Sequence, residues 1–186
     1  MSWLSQQRTE HGVERILDAA AELFVEHGIG QPGMEDVARA AGCSRATVYR
    51  YFDNKPALLQ AFVHREAQDV MEQVAKQVKG IRDEHEAVVA AVVATLAAVR
   101  ARPSLHVWYG DDASALHEVF RESPVITDLA STFLAPDQTE PDLDLGRWLL
   151  RVVLSFLRDP GDSPDEERRL IERFLVPPKI RQRSAN

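Results

Sequence analysis

Residues 41–52 read AGCSRATVYRYF, a stretch whose side chains suit an anionic, hydrogen-bonding partner. Arg45 and Arg50, Tyr49 and Tyr51, Ser44 and Thr47 follow a Gly-Cys pair. A guanidinium can bond two acceptors on the edge of a guanine, and a threonine offers either a hydroxyl or a methyl. Small Ala46 permits close approach. Tyr49, Tyr51 and Lys55 are long enough to reach phosphates, contacts that fix register without reading sequence. Val48 and Phe52 lie four apart and mark the buried side of a helix, so Arg45, Ala46, Thr47, Tyr49 and Arg50 face elsewhere. The plain alternative is a polar helix facing water. Two tyrosines so close together weigh against it.

Helices must position these groups, because apolar residues recur at three and four and strand-like alternation is missing. The first helix is expected over about residues 9–26, with Val13, Ile16, Leu17, Ala20, Leu23 and Phe24 in one stripe and Gly28 as a left-handed cap. A second, over about 34–41, ends at Gly42. Ser44 is an N-cap for the third. Asn54 caps a fourth, with Pro56 harmless in its first turn, and Gly80 breaks it near residue 79. Further helices are expected near 83–101, 112–121, 123–134, 142–158 and 163–175. The last opens with Ser163, Pro164 and Glu166, the pattern of a capping box.

Two short helices joined by a tight glycine turn, the second polar and basic, form a helix-turn-helix whose second helix enters the DNA major groove. Net charge is −7, from 22 basic and 29 acidic side chains, which argues against a nonspecific polyanion binder. Placement matters more than the total. Residues 1–65 carry −1 and residues 66–186 carry −6, while residues 39–55 hold Arg39, Arg45, Arg50 and Lys55 against Asp53 alone. Positive charge is concentrated around the reader stretch.

The segment VARAAGCSRATVYRYFDNKPALL (37–59) resembles the DNA-binding segment of the TetR family of bacterial repressors, as does ILDAAAELFVEHGI (16–29). The resemblance spans roughly residues 9–62. It implies an all-α protein: a three-helix DNA-binding head with a helix-turn-helix, residues 1–54, then a helical ligand-binding and dimerisation bundle, residues 55–186. By motif position, Ser44, Arg45, Ala46, Thr47 and Tyr49 are similar to the base- and backbone-reading set, with Arg50 on the same helix. Tyr51 and Lys55 are similar to phosphate clamps. One departure stands out: Pro32 and Gly33 occupy the place of a Thr pair in the family. The capping hydroxyl is lost, and the Gly33 amide is what remains to meet a phosphate.

The expected helix at 142–158 is apolar on two sides, with Leu145, Trp148, Leu149, Val152 and Phe156 on one and Leu150, Val153, Leu154 and Leu157 on the other. Such a helix needs two covers. Leu150, Val153, Leu154 and Leu157, with Leu170 and Phe174 from the last helix, form the expected half of a four-helix homodimer interface; a helix internal to a monomer is the alternative. Trp108, Tyr109, Phe120, Phe133 and Trp148 are the aromatics available to line an apolar ligand site beside the small side chains of residues 87–99, although aromatics at helical spacing also serve as plain core.

Other chemistries find little support. A single cysteine, Cys43, excludes an intramolecular disulfide framework, and in the turn it is expected to pack between the two helices. His106, Asp111, Asp112 and His117 could suggest a metal, but two histidines and two acids scattered over residues 106–117 are weak evidence. No metal or cofactor is expected, and neither a paired nucleophile and base nor a phosphate-binding glycine loop suggests an enzyme. Residues 1–8 lack the apolar core of a signal peptide, and the most apolar run, residues 87–99, is too short for a membrane span. The expectation is a cytoplasmic, ligand-responsive transcriptional repressor that binds a palindromic operator as a homodimer and answers to a small apolar effector. The competing readings are a helical ligand-binding or interaction module without DNA binding and a small metal-dependent enzyme.

Overall fold

The computed structural model describes residues 3–106 and 143–175, all helix and connecting turn with no strand among the described residues. Numbered through those residues, the helices are α1 (Trp3–His27), α2 (Met34–Ala40), α3 (Arg45–Tyr51), α4 (Lys55–Val78), α5 (Glu84–Arg100), α6 (Pro103–His106), α7 (Leu143–Arg158) and α8 (Pro164–Phe174). Two compact units part within α4, after Glu66. Residues 3–66 and 103–106 belong to the first, and residues 67–102 and 143–175 to the second.

In the first unit α1 begins well before the expected Thr9 and ends at Gly28, whose φ of +74° is the left-handed stop that the sequence suggests. Ile16, Leu17, Ala20 and Phe24 are buried along its inner stripe. Phe24 meets Phe62 of α4 edge to face, ring centroids 5.6 Å apart, a geometry worth about 0.5–1.5 kcal/mol beyond the area it buries. Arg65 ties α4 back to α1 by donating to Glu14 at 3.0 Å and Asp18 at 2.8 Å. The one-turn α6, not expected from Pro103, packs on α1; its Leu105 is buried and Ser104 Oγ donates to the buried Glu66 carboxylate at 3.1 Å.

In the second unit Asp83 caps α5 by accepting the Glu86 amide at 2.8 Å. Val88, Val89, Ala91, Val92, Ala94, Leu96 and Ala98 are buried, and both α7 and α8 pack on this helix. Leu149 and Leu157 of α7 and Ile171 of α8 are buried. The one buried charge among the described residues of this unit, Glu167, receives two bonds from Arg100, at 2.8 and 2.7 Å, and the Gly161 amide at 3.0 Å. Arg100 also donates to the Phe156 carbonyl at 2.8 Å, so one guanidinium joins α5, α7 and α8. Its hydrogen bonds, followed by the Gly161 amide, outweigh desolvation and hold the Glu167 carboxyl below the usual glutamate range. Ser163 caps α8 as expected, accepting the Glu166 amide, but the expected reciprocal bond is displaced by one residue: Glu166 accepts from the Asp162 amide instead.

Candidate nucleic-acid interface

The turn between α2 and α3 is a helix-terminating motif with a clear sequence cause. Gly42 sits at φ +62°, its amide bonds back to the Arg39 carbonyl at 3.1 Å, and the Cys43 amide reaches the Ala38 carbonyl at 3.0 Å. These two bonds define a Schellman motif, in which a left-handed residue costs least when it is glycine. Arg15 of α1 adds a third partner by donating to the Ala41 carbonyl at 2.7 Å. Cys43 is half-buried beside the turn.

At seven residues, α3 is too short to persist alone. Ser44 Oγ accepts the Thr47 amide at 3.1 Å and lies 2.9 Å from the Thr47 hydroxyl, closing the first turn. Val48 is fully buried and Phe52 nearly so, which pins one side of the helix against its own unit. Arg45, Ala46, Tyr49 and Arg50 are exposed, and Thr47 and Tyr51 are half-buried. The first turn therefore presents donors and an aromatic ring outward, with the buried side fixing its orientation.

The long polar side chains of this surface have partners that shape them. The Arg45 guanidinium lies 5.2 Å from the centroid of the Tyr49 ring and bonds the Glu35 carboxylate of α2. Arg50 lies 4.8 Å from the centroid of the Tyr51 ring and donates to its hydroxyl at 3.1 Å. Tyr51 leans on α1 where Gly12 leaves room: a Cβ at Gly12 would stand 3.1 Å from the tyrosine hydroxyl. Lys55 Nζ donates to the Gly30 carbonyl at 2.9 Å, and partial burial lowers its pKa from the ordinary lysine value. Gly33 is less available than its sequence position suggests, because its amide donates to the Asp36 carboxylate at 2.9 Å. That bond, first among several favourable contacts that include Arg39, lowers the Asp36 pKa. A phosphate at the Gly33 amide would have to displace a carboxylate.

Other expected site residues fall elsewhere. Trp148 of α7 is 38% exposed, Leu150, Val153 and Leu154 are half-buried, and Leu157 is buried within its own unit. Leu170 and Phe174 of α8 are exposed, Phe174 by 65%. Trp108, Tyr109, Phe120 and Phe133, together with Asp111, Asp112 and His117, lie outside the described residues, as do the helices expected near 112–121 and 123–134. Among the described residues no group of three or more histidine, cysteine, aspartate or glutamate side chains could hold a metal ion, and no helix is long and apolar enough to cross a membrane.

Sequence reasoning missed Glu35, Arg15 and the Gly30 carbonyl as parts of this surface. An acidic residue in α2 reads as solvated helix surface, and only its partnership with Arg45, ten positions on, reveals its place. A backbone carbonyl leaves no sequence signal.

An outward, capped helix on a fixed glycine turn defines the class: a helix-turn-helix DNA-binding protein. The family model described as bacterial regulatory proteins, tetR family, matches residues 16–62. Over 179 residues the chain is 38% identical to the HTH-type transcriptional regulator Rv1255c of Mycobacterium tuberculosis, covering 94% of this chain and 89% of that one. The fold is shared with the TetR family repressor AlkX from Dietzia sp., with a TM-score of 0.63 at 22% identity, covering 90% of this chain and 94% of that one. It also matches SmeT, solved as a complex with triclosan, with a TM-score of 0.54 at 26% identity over 84% of this chain and 83% of that one. The chain belongs to the TetR family of bacterial transcriptional regulators, with an N-terminal helix-turn-helix domain and a helical C-terminal domain, and is a regulator and not an enzyme.

Proposed function

We propose that this protein is a cytoplasmic repressor that binds a palindromic operator as a homodimer and changes its grip when a small apolar effector binds. The observation that carries the proposal is the exposed row Arg45, Ala46, Tyr49 and Arg50 on a helix whose opposite side is locked by Val48. In this reading Arg45, Ala46 and Thr47 meet base edges, with Ser44 and Tyr49 completing the base- and backbone-reading set. Arg50, Tyr51 and Lys55 meet phosphates, as would the Gly33 amide once released from Asp36. The head comprises residues 1–54 and the ligand-binding and dimerisation body residues 55–186.

Support for the dimer comes from α7 and α8, which leave Leu170 and Phe174 exposed and Leu150, Val153 and Leu154 half-buried in a single chain. Leu157 extends that row toward the subunit's own core. A two-fold dimer places two reader helices on half-sites about 34–36 Å apart. Support for an apolar effector comes from α5, whose buried residues are all aliphatic, from the aromatics Trp108, Tyr109, Phe120, Phe133 and Trp148, and from the triclosan held by SmeT. To act, the effector must bind one geometry more tightly than the other, since equal affinity shifts nothing.

The test is retardation of duplex DNA taken from upstream of the protein's own gene, repeated over a range of salt. Binding that weakens steeply with salt, as counterions are released, supports the reading; absent or salt-independent binding across candidate operators contradicts it. Native mass spectrometry of freshly purified protein tests the rest, with a dimer mass and a retained small molecule as the expected result.

A further inference from the structure

Arg45 is the long cation of the first turn of α3, yet it is not free to roam: its Nη1 donates to Glu35, and its guanidinium lies over the Tyr49 ring. Glu35 and Arg45 are both largely exposed, so neither was driven together by burial. A carboxylate on a DNA-facing surface is costly, because it repels the phosphates that supply most of the affinity. We infer that Glu35 is a positioning residue that aims Arg45 at a guanine edge in each operator half-site. This rests on the reading of α3 as the major-groove helix.

An unrestrained arginine beside a duplex is drawn to the nearest phosphate, where it adds affinity and reads nothing. Pairing with Glu35 makes the couple neutral and removes that pull. It also settles the side chain before DNA arrives, so less conformational entropy is lost on reading. Glu35 occupies one of five N–H donors, and the remaining donors of the fork can meet guanine O6 and N7. The neighbouring carboxylate is committed elsewhere: Asp36 accepts from Gly33 and from Arg39. Arg50 is arranged differently, stacked on Tyr51 and bonded to its hydroxyl, an arrangement that keeps its charge for phosphate.

The experiment selects duplexes from a randomised library with the full-length protein and with Glu35→Gln, Glu35→Ala, Arg45→Ala and Arg45→Lys, then measures affinity for the selected and an unrelated duplex at several salt concentrations. The wild type is expected to prefer guanine at one fixed position per half-site by at least about fivefold, and both Arg45 variants to lose that preference. Glu35→Gln and Glu35→Ala are expected to lose most of it while binding the unrelated duplex more tightly, with a log–log salt slope steeper by about one per subunit as Arg45 moves to a phosphate. Circular dichroism confirms that the variants fold, and Arg45→Lys tests the same guanine without altering α2. A guanine preference and salt slope unchanged in Glu35→Gln would overturn the inference while leaving the operator-binding reading intact. Enrichment of no sequence by the wild type would overturn that reading, and this inference with it.

Discussion

Replacing Arg100 by Met should destabilise the second unit by about 2–4 kcal/mol. The guanidinium makes three bonds of 2.7–2.8 Å, two to Glu167 and one to the Phe156 carbonyl, and Glu167 is only 5% exposed. Removing one partner of a buried pair costs about 3–5 kcal/mol, because the other charge is stranded. The lower range applies here, since the Arg100 side chain keeps 31% exposure and Glu167 retains the Gly161 amide. For a chain of this size the melting temperature should fall by roughly 4–16 °C, at about 2–4 °C per kcal/mol. The loss should also depend on pH. Glu167 titrates below its ordinary value when folded, so the stability linked to its ionisation is complete above about pH 4.3, the unfolded glutamate value, and disappears as pH falls through the lower folded value. The gap between wild type and variant should therefore be widest near neutrality and narrow in acid. Thermal unfolding of both proteins at matched concentration, from pH 7 down to about pH 2, below the lowered folded value, makes the comparison. Equal melting temperatures at pH 7, or a gap that widens in acid, would refute the reasoning.

Gly42→Ala forces a side chain into a left-handed turn at φ +62°, so a loss of about 1–2 kcal/mol is expected, read as a lower denaturation midpoint. Gly12→Ala places a methyl 3.1 Å from the Tyr51 hydroxyl; DNA affinity should fall several-fold with helicity unchanged, measured by fluorescence anisotropy and circular dichroism. Phe174→Asp puts a charge on a side chain that is 65% exposed in the single chain, so native mass spectrometry should show a shift from dimer to monomer while the monomer stays helical.

Local features were legible because each leaves a residue type at a fixed offset. Gly28, Gly42 and Gly80 all take positive φ and end or follow helices where expected, and Ser44 and Ser163 cap the helices that follow them. Val48 and Phe52, four apart, gave the inner side of α3 and hence its outer side. Features that depend on distant partners were not legible. Arg100 and Glu167 stand 67 positions apart and read separately as two solvated charges, and Arg15 shows no sign that it will meet the Ala41 carbonyl. Gly33 illustrates competition: the sequence offers a free amide, but Asp36, three residues on, is near enough to claim it. In α6, Pro103 stands at the first position, where a proline forfeits no hydrogen bond, and a helix of four residues is too short for apolar periodicity to reveal it.

The reader surface is tested most directly by measuring operator affinity of Arg45→Ala and Tyr49→Ala against wild type at two salt concentrations, alongside helicity and subunit mass. The expected result is at least a tenfold loss of operator binding in each variant, with the fold and the assembly unchanged. Wild-type affinity in both variants, or a loss of binding that tracks a loss of helicity, would contradict the assignment of α3 as the element that meets DNA.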